Sequence, residues 1–128
     1  MDDLDRLSPH GRFLHHCAQG ELAFQRTPSG RALFHPRVTA PAPDAGTLVW
    51  AISGGTGSVH SVTLVHHRNE APFALALIDL DDGFRMMSRV DADDPGAVAI
   101  GARVRVGFRS LAPDQPVLPV FTLMDDTP

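Results

Sequence analysis

The chain has 128 residues, enough for one domain that buries a core without cross-links. Hydrophobic residues make up 43% and charged residues 20%, which fits neither a disordered nor a membrane-spanning chain; no apolar run approaches the roughly 18 residues of a helical span. Eleven basic residues, all Arg, against fifteen acidic ones give a net charge of −4, without the basic excess of a general nucleic-acid binder.

The first residues, Met1-Asp2-Asp3-Leu4-Asp5, are acidic, whereas a signal peptide starts basic and turns apolar, so a cytoplasmic protein is expected. Asp2 to Gly20 reads as helical, with Ser8 as N-cap, Pro9 at the first helical position and Gly20 as the stop. Phe13, Leu14 and Cys17 fall on one face of that helix. Cys17 is the single cysteine, which excludes an internal disulfide and any multi-cysteine zinc site, and it reads as a small core residue. Glu21 to Arg26 and Arg31 to His35 read as two short strands around a turn at Thr27-Pro28-Ser29-Gly30. Pro36 to Gly46, with three prolines, reads as an extended surface connector.

From Thr47 the pattern becomes that of a β-protein. Thr47 to Ile52 is a predicted strand, and Ser53 to Gly57 is a glycine-rich bend that lacks the lysine and following helix of a phosphate loop. Ser58 to His67 is β-branched and alternating, and Arg68 to Ala71 forms a turn. Phe73 to Leu80 is a nearly continuous apolar strand, Asp81-Asp82-Gly83 a hairpin turn and Phe84 to Val90 the returning strand. Asp91 to Gly96 is a polar loop. Ala102 to Ser110 alternates, with Val104, Val106 and Phe108 on one face, and Val117 to Leu123 is the last strand before a frayed end at Asp125 to Pro128. Five or six short strands with glycine bends imply a mainly β fold, a small closed barrel or a sandwich. Phe73, Phe84 and Phe108 read as core, which leaves no exposed aromatic platform for stacking bases.

The candidate chemistry is sparse. The seven histidines include His15 and His16, adjacent on a helix and about 100° apart. His60 and His66 share a strand face but lie roughly 20 Å apart, so no pair has ligand spacing. Ser58, His60 and Ser61 are close in sequence without forming a nucleophile elbow. Asp79, Asp81 and Asp82 are accounted for by turn chemistry. No catalytic residue and no metal ligand is assigned. The distinctive feature is arginine: Arg103, Arg105 and Arg109 line the outer face of one strand, and Arg85 and Arg89 share a face of another, with Met87 between them. If these faces coincide, a local positive surface arises that suits phosphate or carboxylate; the alternative is an ordinary solvated sheet face. These five arginines are the candidate ligand- or partner-binding residues.

The order of motifs is itself informative. Gly20-Glu21-Leu22 leads to Gln25-Arg26 and then to Phe34-His35-Pro36-Arg37. Trp50 and a glycine-rich bend precede Val59-His60-Ser61-Val62-Thr63-Leu64-Val65-His66-His67 and the run from Pro72 to Gly83. Ile100-Gly101-Ala102-Arg103-Val104-Arg105-Val106-Gly107-Phe108 and Leu118-Pro119-Val120-Phe121 complete the order. Over roughly residues 12 to 123 this resembles the small bacterial and archaeal proteins that join a rubredoxin-like zinc ribbon to an OB-fold barrel, whose genes accompany thiolase-like or acyl-CoA enzymes. The resemblance implies an N-terminal helical segment (1–20), a degenerate ribbon hairpin and linker (21–46) and an OB-fold barrel of five strands (47–124). The family's first Cys-x-x-Cys falls here at Thr27 and Ser29 or Gly30, and its second at about Ala40 and Pro43, with His35 the only imidazole nearby. A structural zinc needs four S or N donors, so a zinc-free hairpin held by Leu22, Phe24, Leu33 and Phe34 is expected.

The resemblance further implies a non-catalytic accessory protein without a cofactor of its own. It would dock on a thiolase-like or other acyl-CoA enzyme and help to bind acyl-CoA. The helix face of Phe13, Leu14 and Cys17 and the segment Leu118 to Met124 are candidate contact surfaces, and self-association is left open. The competing reading is an OB-fold module for single-stranded nucleic acid, which fold alone supports.

Overall fold

The structure, a computed structural model, describes residues 7–34 and 47–124. The start of the expected helical segment, His35, the proline connector with Ala40 and Pro43, and the C-terminal residues lie outside the described residues.

Helix α1 spans Pro9–Ala18. Ser8 is its N-cap, with the hydroxyl accepting the Gly11 N–H at 3.0 Å, and Pro9 occupies the first turn, where no N–H is needed. At the other end Gly20 takes φ +77°, a left-handed conformation open to glycine at little cost. Its N–H donates to the Cys17 carbonyl at 3.0 Å and the Glu21 N–H to the His16 carbonyl at 2.9 Å, a Schellman stop that turns the chain into the first strand.

Strand β1 (Ala23–Arg26) is the middle of a three-stranded antiparallel sheet, flanked by β2 (Ala32–Leu33) and β3 (Val49–Ile52). Thr27 holds the β1–β2 turn. Its N–H donates to the Arg31 carbonyl, its hydroxyl accepts the Arg31 N–H at 3.1 Å, and its carbonyl accepts the Gly30 N–H.

Strands β4 (Thr56–Val65), β5 (Phe73–Leu80), β6 (Arg85–Asp91), β7 (Arg103–Ser110) and β8 (Val117–Leu123) close into a barrel in the order β4-β5-β6-β8-β7. Ala74, Ala76, Ile78 and Leu80 of β5 point inward and are buried, as are Met86, Ser88 and Val90 of β6. Gly57 is required where β4 meets β5, because a Cβ there would run into the Asp79 carbonyl. Closure is lopsided. β7 and β8 pair over seven rungs, whereas β6 and β8 run parallel and pair only at Val90–Phe121 and Asp91–Thr122. Upstream of Phe121 comes Pro119, which has no N–H to donate, and the two strands diverge. There the Ser88 hydroxyl reaches the Pro119 carbonyl at 3.2 Å.

One core runs through all of these elements. Phe13 meets Phe34 edge-on at 5.4 Å, Phe34 stacks on Phe84 at 5.3 Å, and Phe84 lies 4.8 Å from Phe24. This aromatic file joins the helix, the small sheet and the end of the barrel. Leu22 and Phe24 are buried in the same cluster, with Phe34 packed against it, and Leu33 is buried on β2.

Four expectations change. The helix face carrying Phe13 and Cys17 is no docking surface: it packs inside the protein, with Cys17 0% exposed and α1 lying against β8 and β1. Phe73 sits on the outward set of β5 rather than in the core. A bulge between Val59 and Ser61 breaks the alternation at His60, and β4 ends at Val65, so His60 and His66 do not share a strand face. Asp91, expected in a loop, is the last residue of β6.

Candidate functional site

The five candidate arginines do not form one positive face. β6 and β7 are not neighbours, since β8 stands between them on one side and β5 and β4 on the other. Arg103, Ser58, Asp79 and Arg85 occupy one cross-strand row over β7, β4, β5 and β6. Arg85 donates Nε to Asp79 at 2.6 Å, and Arg103 grips Asp81 through both terminal nitrogens at 2.9 and 2.6 Å while also donating to Ser58 at 3.0 Å. At the other end of the barrel Arg89 and Arg109 converge on Asp91, Arg89 through Nε at 3.1 Å and Arg109 in two-pronged fashion at 2.9 and 3.0 Å. Arg105 is exposed, with no carboxylate partner among the described residues.

The carboxylates respond as paired groups must. The Arg103 hydrogen bonds, helped by the Thr56 hydroxyl, hold Asp81 down at about 2. Asp79 is lowered chiefly by its bond to Arg85, and Asp91 chiefly by its bond to Arg109. These acids are locked in their charged forms and are poorly suited to proton transfer near neutrality. His60 Nδ1 lies 3.4 Å from Asp79, and Ser58 is hydrogen-bonded to Arg103 rather than to that imidazole, so the neighbouring Ser and His do not make a nucleophile–base pair. Cys17 is pushed up to about 11 by burial, the opposite of an activated thiol.

The ribbon positions do not fit a zinc ion. Thr27 is buried with its hydroxyl committed to the turn, and neither Ser29 nor Gly30 supplies a thiolate or an imidazole. Among the described residues no three His, Cys, Asp or Glu side chains are gathered to hold an ion, and no helix is long and apolar enough to cross a membrane.

What the sequence did not reveal is an apolar surface. Where β6 and β8 part, a groove of about 390 Å³ opens between them and the helix. Its walls include Phe13, Phe34, Met86, Leu118 and Val120, with Leu111 and Phe73 also against it and Arg89, Ser88 and His10 as polar lining. The Arg89 guanidinium lies 4.3 Å over the Phe73 ring. The apolar surface continues round the barrel: Phe73, Leu75 and Leu77 are the outward residues of β5, and Met87, paired with Leu77, is 60% exposed beside them. A signal for it was present. A strand that faces water on one side alternates, whereas Phe73 to Ile78 is apolar on both faces, the pattern of a strand covered twice.

Comparison with known proteins places this architecture. Residues 50–109 match the family model described as the ChsH2 C-terminal OB-fold domain. That stretch belongs to this ChsH2-type OB-fold family. The chain is 37% identical over 94 residues to a protein of Mycobacterium tuberculosis named 3-oxo-4,17-pregnadiene-20-carboxyl-CoA hydratase alpha subunit, covering 69% of this chain and 30% of that one. It is 30% identical over 109 residues to a probable enoyl-CoA hydratase alpha subunit of Thermomonospora curvata, covering 80% and 34%. It is also 27% identical over 88 residues to a DUF35 domain-containing scaffold protein of Methanothermobacter thermautotrophicus, covering 64% and 66%. The chain thus spans about a third of the length of the two hydratase subunits. Among solved structures, a chain of the Ltp2-ChsH2(DUF35) aldolase superposes with a TM-score of 0.76 at 25% identity, covering 87% of this chain and 91% of that one.

Proposed function

We propose that this ChsH2-type OB-fold protein is a non-catalytic accessory subunit of an acyl-CoA-handling enzyme. It docks a partner through the apolar outer face of its barrel and helps to hold the acyl-CoA substrate at or near the interface. The carrying observation is the stripe of Phe73, Leu75, Leu77 and Met87, outward-facing side chains that a monomeric barrel has no reason to make apolar. The relatives named as alpha subunits of a carboxyl-CoA hydratase and a probable enoyl-CoA hydratase, and the similar chain of the Ltp2-ChsH2(DUF35) aldolase, support an acyl-CoA enzyme as partner. A thiolase-like enzyme is the specific partner we favour. The absence of catalysis in this chain is supported by the fates of its reactive groups: Cys17 is buried, and Asp79, Asp81 and Asp91 are bound to arginine.

Among the five arginines, Arg105 has no carboxylate partner among the described residues and is the first choice to meet a CoA phosphate or a partner carboxylate. Arg85, Arg89, Arg103 and Arg109 each sit against an aspartate and are better placed to set the shape of that surface. The same pairing weakens the nucleic-acid reading, which needs a continuous basic track. The test is size-exclusion chromatography of the protein with a thiolase-like enzyme from the same organism. A stable complex is expected, lost in Met87→Asp and weakened by higher salt in a manner that Arg105→Ala reduces. Separate elution of the two wild-type proteins at micromolar concentration overturns the reading.

A further inference from the structure

The groove at the β6–β8 seam is more than a continuation of the apolar stripe, because it is concave and ends at a charge. Its volume of about 390 Å³ falls in the range of small-molecule sites, with an apolar lining and few polar groups. A benzene-sized ligand occupies a cavity of about 150 Å³, so this one has room for about fifteen carbon-sized atoms. Phe13, Phe34, Met86, Leu118 and Val120 offer that volume no hydrogen bond from their side chains, and the single Ser88 hydroxyl proton is shared between the Arg89 and Pro119 carbonyls. At the Phe73 end the balance of charge is uneven. Two guanidinium groups, Arg89 and Arg109, share the single carboxylate of Asp91, which leaves one positive charge in excess, and Arg89 itself lines the groove. Asp93 lines a neighbouring polar cleft that Phe73 and Arg89 also border, and it is not part of the groove wall.

We propose that the β6–β8 groove binds an aliphatic chain headed by an anion, a medium- or long-chain carboxylate being its simplest form, with the tail between Phe13, Phe34 and Leu118 and the head at Arg89. The groove shares Phe73, Leu75 and Met87 with the docking stripe, but ligand binding needs no partner, and the two readings fail separately: one in complex formation, the other in ligand titration.

The experiment is calorimetric titration of the full chain with straight-chain carboxylates from octanoate to hexadecanoate, each below its micelle concentration. The dissociation constant is expected to fall about fourfold with each added methylene and to level off once the groove is filled. Leu111, 45% exposed against the groove, tolerates enlargement, and Leu111→Trp is expected to weaken the longer chains about tenfold or more. Arg89→Gln, in which Asp91 keeps both of its bonds to Arg109, is expected to weaken dodecanoate about tenfold while leaving dodecan-1-ol unchanged. Absence of saturable binding, equal losses for the carboxylate and the alcohol, or no effect of Leu111→Trp overturns the proposal. Carboxylates that do not bind while Leu111→Trp abolishes a protein complex assign the groove to a partner's apolar segment and overturn it equally.

Discussion

Replacing Phe84 by Ala tests whether the molecule is held by one core or two. Phe84 is 7% exposed and carries the contacts that join the N-terminal elements to the barrel, stacking on Phe34 at 5.3 Å and lying 4.8 Å from Phe24. Truncating a buried Phe costs about 3–5 kcal/mol, which includes the cavity it leaves, and its two ring contacts place it toward the upper end. The unfolding entropy expected for 128 residues, about 0.27 kcal/mol/K, turns a loss of about 4 kcal/mol into a fall in Tm of about 15 °C. The decisive assay uses two probes in one urea titration. Trp50, the single tryptophan, stands on β3 of the small sheet and reports on it by fluorescence, while far-UV circular dichroism is dominated by the barrel. Both midpoints are expected to drop together and to remain coincident in the variant. A Trp50 transition that moves to low urea while the dichroism midpoint stays fixed would refute the shared core and leave the hairpin and helix as a separately held appendage.

Three further perturbations probe local arguments. Gly57→Val sets a branched side chain against the Asp79 carbonyl, a backbone atom that cannot step aside, and is expected to cost about 1–3 kcal/mol by chemical denaturation; a neutral result would mean that β4 and β5 are not so close. Asp81 is held down at about 2, against an ordinary carboxylate value of 3.8, so its pairing with Arg103 supports the fold fully above pH 4. That support is lost as the pH falls toward 2, and Arg103→Gln is expected to flatten this part of the stability–pH curve relative to wild type. Cys17 is expected to resist a thiol reagent at pH 8 in the folded protein and to react at once in urea; rapid labelling of the native form would contradict both its burial and its raised pKa.

Local chemistry was legible in the chain and long-range pairing was not. The Ser8 cap, the Gly20 stop, the Asp81-Asp82-Gly83 turn and the extents of β5 and β8 follow from residues within a few positions of each other. The order β6-β8-β7 depends on contacts across the whole barrel, and it removes the condition, coincident faces on β6 and β7, on which a shared arginine surface rested. Their partners Asp79, Asp81 and Asp91 were visible as turn or loop residues, but nothing local says which arginine each one reaches. The bulge at His60 is invisible for the same reason, since an extra residue in β4 has meaning only against the register of β5. The helix face of Phe13 and Cys17 could be read as apolar, but whether it covers this barrel or another molecule is settled by docking alone.

The two-rung clasp between β6 and β8 also bears on how the molecule is made. As the chain leaves the ribosome, β4, β5 and β6 can form hairpins at once, but β6 and β7 both keep a bare edge until the final strand emerges. During that interval the nascent sheet offers two templates for pairing with a neighbouring chain, and the apolar outer residues of β5 add to the hazard. A chain truncated between Ser110 and Val117 presents both edges and is expected to aggregate more readily than the full-length protein.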